Sequence, residues 1–92
     1  MADAKLVAIL DRGVAAWNAW RKAYPKNRAV DLTNVDLSHR DLRGIDLSDA
    51  ALNDAYLLGA DLTNANLRAA KLEGANLTGA KVNEPSWGRC LT

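Results

Sequence analysis

A five-residue repeat runs without a slip from residue 30 to residue 84. A leucine stands at the centre of each unit: Leu32, Leu37, Leu42, Leu47, Leu52, Leu57, Leu62, Leu67, Leu72 and Leu77, with Val82 closing the series. Two residues earlier comes a second small or branched apolar residue: Val30, Val35, Ile45, then alanine at 50, 55, 60, 65, 70, 75 and 80. Arg40 alone interrupts that second column. Such a repeat decides the fold before any propensity does. On an α-helix, at about 100° per residue, successive leucines would scatter roughly 140° apart. On a flat strand an odd spacing sends alternate leucines to opposite faces. Either geometry would expose half of an unbroken leucine column, far too much apolar surface.

A chain that coils around its own interior removes the conflict. Each unit is then a short extended piece followed by a corner. Residues two apart, such as Ala60 and Leu62, point inward, and Asp61, Thr63 and Asn64 go to the outside or the corner. A type II corner needs φ > 0 at its second central residue and favours Gly or Asn there. The position two after the leucine holds Asn34, Gly44, Gly59, Asn64, Gly74 or Gly79 in more than half the units, with Asp49 and Asp54 as tolerable substitutes. The expected fold class is therefore a closed β-solenoid.

The units at 60–64 (Ala-Asp-Leu-Thr-Asn), 65–69 (Ala-Asn-Leu-Arg-Ala) and 75–79 (Ala-Asn-Leu-Thr-Gly) resemble the A(D/N)LXX signature of pentapeptide repeat proteins, and the match spans 55 of 92 residues. The resemblance implies a right-handed quadrilateral β-helix of about three coils with four pentads per coil. Residues twenty apart would then stack, giving leucine columns 32–52–72, 37–57–77, 42–62–82 and 47–67–87. The frame extends to Trp87, and Cys90 falls beneath Val30, Ala50 and Ala70.

A single domain of this length sits near the lower limit for one core, so the leucine interior has to supply most of the driving force, at about 1.5–3 kcal/mol per buried side chain. Three segments are expected: residues 1–29 as a capping helix and connector, 30–84 as the solenoid, and 85–92 as its end. The net charge of +1 hides an asymmetry, six basic against two acidic residues over 1–29 and five against nine over 30–84. One cysteine makes no disulfide framework. No apolar run approaches a membrane span and no secretory signal opens the chain, so a cytoplasmic protein is expected.

Residues 3 to about 24 read as one amphipathic helix. Leu6, Leu10, Gly13, Trp17, Trp20 and Tyr24 recur at three- and four-residue spacing, Asp3 is the expected N-cap, and Pro25 forces the exit. The helix is expected to cap the tube through Leu6, Leu10, Trp17, Trp20 and Tyr24, because a solenoid's first coil leaves its interior and backbone edge uncovered. The segment Trp-Asn-Ala-Trp-Arg at 17–21 resembles a leader of some family members, in keeping with that role. The rival is a basic, Trp-bearing helix lying on a membrane surface or partner. Arg40 would enter the tube unless its guanidinium turns upward. It is expected at the open mouth, its stem under the helix and its head on helix carbonyls or water; a ligand paired with it is the alternative.

The outer faces carry little chemistry. His39 has no second histidine and Cys90 lies about two coils away, so metal-ligand spacing is absent. Ser38, His39 and Asp36 are neighbours without the geometry a triad needs. No catalysis, cofactor or metal is expected. Tyr56 and Leu58 are the outward apolar pair on one middle coil and the best candidate for a lateral partner contact. At the C-terminus, Trp87 either plugs the tube with Leu91 folded over it, or Trp87, Cys90 and Leu91 form an apolar end through which two copies pair.

A scaffold or protein–protein interaction module is the leading expectation, with an unidentified protein partner and neither nucleic acid nor membrane. The family also includes proteins that mimic DNA and protect DNA gyrase. Three coils, roughly 15 Å by strand spacing, and a near-neutral charge fit that role poorly, because a mimic should be strongly acidic.

Overall fold

Each corner of the repeat bends the same way, and that uniformity builds the fold. A computed structural model describes residues 3–23 and 30–82. In it the residue two after the leucine has a positive φ, between 60 and 77°, in all ten described units from Asn34 to Gly79. The next amide donates back to the leucine carbonyl, as from Val35 N to Leu32 O at 3.2 Å and from Ala65 N to Leu62 O at 2.9 Å. The corner chemistry expected from Gly, Asn and Asp extends to His39 and Ala69, which adopt the same left-handed conformation.

The corners return the chain to itself every twenty residues. Parallel bridges join Asp31 to Ala51 and Ala51 to Lys71, Asp36 to Tyr56 and Tyr56 to Asn76, Asp41 to Asp61, and Asp46 to Asn66. At two units the pairing is regular enough to form strands, β1 (Asp61–Leu62) and β2 (Lys81–Val82), parallel with Asp61 opposite Lys81. Inter-coil bonds are short: Leu32 N donates to Ala51 O and Ala51 N to Val30 O, both at 2.8 Å. Four pentads therefore make one turn.

Both inward columns form the core. Leu32, Leu37, Leu47, Leu52, Leu57, Leu62 and Leu67 are fully buried, as are Ile45 and the alanines at 50, 55, 60 and 65. Alanine in the second column leaves room for the leucines of the opposite side, which close packing requires. Burial fades downward: Ala75, Leu77 and Ala80 are partly buried and Val82 is 39% exposed.

The N-terminal segment departs from the single helix expected over 3–24. Two helices form, α1 (Ala4–Leu10) and α2 (Val14–Ala23). Asp3 caps α1 as expected, its carboxylate accepting from Lys5 N at 2.9 Å. The break is at Gly13, whose φ of +107° no helix tolerates; Gly13 N closes α1 by donating to Leu10 O at 2.9 Å. Gly13 is thus a hinge residue between helices, not part of an apolar stripe.

Candidate interaction surfaces

Within the stack, each outward unit bonds upward through three backbone groups. Tyr56 N donates to Val35 O at 2.8 Å, while Tyr56 O and Leu58 O accept from Leu37 N and His39 N, both at 2.7 Å. Among the described residues, no coil lies above the first turn. Over its fourth unit, side chains of α2 do the work of a coil. Asn18 bonds like a peptide group, its Oδ1 accepting from Asp46 N at 2.8 Å and its Nδ2 donating to Gly44 O at 3.0 Å. Trp17 Nε1 donates to Asp46 O and Arg21 Nη2 to Ser48 O, each at 2.7 Å. Asp3 N donates to Asp31 O at 3.0 Å on the first unit.

Of the residues expected in the cap, Leu6, Leu10 and Trp17 are buried and Trp20 is partly buried against the same core, its ring 5.0 Å from that of Trp17. Tyr24 lies outside the described residues. Arg40 turns out of the tube, and its head meets a carboxylate rather than helix carbonyls: Nη2 donates to Asp11 Oδ1 at 2.7 Å, where α1 ends. Sequence reasoning missed Asn18 and Asp11. Their only signal was proximity to the tryptophans and to the helix end, and neither specifies a partner about thirty residues away.

The aspartates directly before the leucines are committed locally. Asp31 Oδ1 accepts from Thr33 N and Oγ1 at 3.1 and 2.7 Å, and Asp61 repeats this with Thr63. Asn66 and Asn76 bond the amides of Arg68 and Thr78 in the same way. This explains the Asp or Asn before seven of the ten leucines: the side chain stabilises its own corner. These bonds stabilise the ionised form. The Arg43 guanidinium and amide hold the Asp41 carboxyl down to about 2, and the hydroxyl and amide of Thr33 and Thr63 lower those of Asp31 and Asp61. An open cleft of about 590 Å³ lies among Gly13, Val14, Asp41, Arg43 and Asn64, but Arg43 closes onto Asp41 at 2.9 Å.

The lateral face beneath the second unit differs from the others. Tyr56 is 49% exposed, with Asp36 above and Asn76 below, and Leu58 is partly exposed beside it. Below Asp36 this face carries Tyr56, Leu58, Asn76 and Thr78 and no charge. The other faces carry Lys71 and Glu73, Asp61 and Lys81, or Arg68 at those levels. His39 sits at the adjoining corner, over Gly59, where an added Cβ would come within 2.7 Å of its Nδ1. Among the described residues no three His, Cys, Asp or Glu side chains gather as a metal site, and no helix is long and apolar enough to cross a membrane. Trp87, Cys90 and Leu91, the expected self-association residues, lie outside the described residues.

The family model for pentapeptide repeats matches eight copies over residues 31–68 and 45–83. The chain belongs to the pentapeptide repeat family. The matched span covers more than half of the chain and ends within two residues of the frame read from the leucines. No curated protein matches the chain significantly. Proteins of this family fold in general as right-handed β-helices, and the twenty-residue register and uniform corners of this chain accord with that.

Proposed function

We propose that this pentapeptide repeat protein is a non-catalytic scaffold, a right-handed quadrilateral β-helix of about three coils capped by its helix pair, that binds a protein partner through the face of Tyr56 and Leu58. One observation carries the reading: a half-exposed tyrosine stands on the one lateral face whose lower levels are uncharged. Interface centres are depleted of charge and enriched in aromatic anchors, and an aromatic that is flanked by neutral neighbours can be desolvated cheaply. Flat sides built on closely packed leucines change shape little on binding, which limits the entropy lost. The reading assigns the chain no cofactor, nucleic acid or membrane and a cytoplasmic location. It also includes pairing of two copies through Trp87, Cys90 and Leu91, for which light scattering across a concentration series is the measure.

The test is site-directed photo-crosslinking in cells with the reactive side chain placed at 58, compared with the same group at 73 on another face. A discrete adduct from 58 alone, lost when Tyr56→Ala is added, is the expected outcome. Equal labelling from both faces, or an adduct indifferent to Tyr56, would overturn the assignment.

A further inference from the structure

The first coil displays the same backbone edge twice, and among the described residues one copy is hydrogen-bonded from above and the other is not. Asp46-Leu47-Ser48 and Asp36-Leu37-Ser38 are identical tripeptides at the same place in units two apart, hence on opposite sides of the turn. The first is closed by α2 through Asn18, Trp17 and Arg21. Over the second, among the described residues, nothing bonds Asp36 N, Asp36 O or Ser38 O, although their counterparts one coil lower, at Tyr56 and Leu58, are all bonded. Asp36 is exposed and Ser38 partly so.

We propose that the edge Asp36–Ser38 is a docking site for a segment of a partner protein that offers a carboxamide or peptide group together with an arginine. The molecule holds its own pattern for that ligand. On the covered edge, the Asn18 carboxamide bridges Asp46 N and Gly44 O, the Trp17 indole caps Asp46 O, and a guanidinium caps the serine carbonyl at 2.7 Å. The bare edge presents the same atoms in the same order, two acceptors and one donor, so the same complement fits it. Charge favours a cation there. The Asp36 carboxylate stands at this edge, and across the corner Arg40 is already occupied by Asp11. A second copy of this chain is a poor occupant: its Asn18 and Arg21 are engaged on its own first turn, and two rims each bearing Asp31, Asp36, Asp41 and Asp46 repel. The column below the edge runs Asp36, Tyr56, Asn76, so a segment held at the rim meets the uncharged lateral face directly. The inference rests on an interaction role for the chain but uses backbone groups, not the tyrosine.

The experiment is a titration of the ¹⁵N-labelled full chain with an acetylated, amidated peptide copying residues 14–23, followed amide by amide by NMR. Saturable shifts at Asp36 and Ser38 are expected, with Asp46 unmoved. A peptide carrying the equivalents of Asn18→Ala and Arg21→Ala should bind at least about tenfold more weakly, the loss of a charge-assisted bond. Asp36→Lys in the protein should weaken the unaltered peptide by about tenfold for the same reason, with circular dichroism verifying its fold. Four results overturn the proposal: no saturable shift at 36–38, equal binding of the altered peptide, shifts confined to 44–48 because the peptide replaces α2, or shifts with protein concentration alone, which would assign the edge to a second copy. Shifts at Tyr56 and Asn76 report separately on the lateral face, so each reading can fail alone.

Discussion

Among single residues, Ala69 occupies the position least suited to its side chain. It holds φ at 60° where the other corners of the repeat use Gly, Asn, Asp or His. A Cβ in the left-handed region costs about 1–2 kcal/mol, while glycine adds about 0.5–1 kcal/mol of unfolded-state freedom. Ala69→Gly should therefore raise unfolding stability by about 0.5–1 kcal/mol, measured by urea denaturation. A loss of stability would mean that this corner is not strained. Gly74 is the opposite case. It also turns with positive φ, at 77°, and the Asp54 carboxylate lies where a Cβ would go, so a larger residue has to displace that side chain as well as hold the left-handed corner.

At the scale of the element, α2 serves the stack as a surrogate for the missing coil. Trp17 is fully buried and its indole donates to Asp46 O. Trp17→Phe keeps most of the apolar contact and removes that bond, so it should cost about 1–2 kcal/mol. Hydrogen exchange should localise the change, with the Asp46 amide, which Asn18 holds, exchanging faster while Asn66 stays protected. The repeat was legible in the sequence because one rule, inward every five residues, is written in every unit. The corner φ values followed for the same reason. The break in the helix was hidden because both helices send their apolar sides to the same core, so Leu6, Leu10 and Trp17 keep a helical rhythm across Gly13. Arg40 showed that its charge must leave the tube, but Asp11 could not be named, since no local rule links residues 29 apart. Tyr56 was legible as an outward aromatic. The bare and covered copies of Asp-Leu-Ser were not, because their difference lies in what is stacked above them.

For the molecule as a whole, the local carboxylate bonds repeat up the outer wall and set its response to acid. Asp31, Asp36, Asp41 and Asp61 all have carboxyls lowered by bonds to the hydroxyl, amide or guanidinium of the residue two further on, Asp41 from 3.8 to about 2. A group whose folded pKa lies below its unfolded one stabilises the fold above the unfolded value, and that contribution disappears as pH falls through the folded value. Stability should thus be level near neutrality with respect to these groups and fall between about pH 4 and pH 2. Thermal melts across that range check it, and Asp41→Asn should flatten part of the slope. An unchanged melting temperature down to pH 2 would show that the bonds do not persist in solution.

The twenty-residue register gives the chain something like a reading frame. Inserting a whole turn of four units would lengthen the rod and return every later residue to its own side. Inserting one unit between Tyr56 and Asn76 would preserve each leucine in the interior yet rotate everything after it by a quarter turn, bringing Asn76 out from under Tyr56. Length in such a molecule can therefore grow in fives without harm to folding, but only in twenties without rewriting what each of its walls displays.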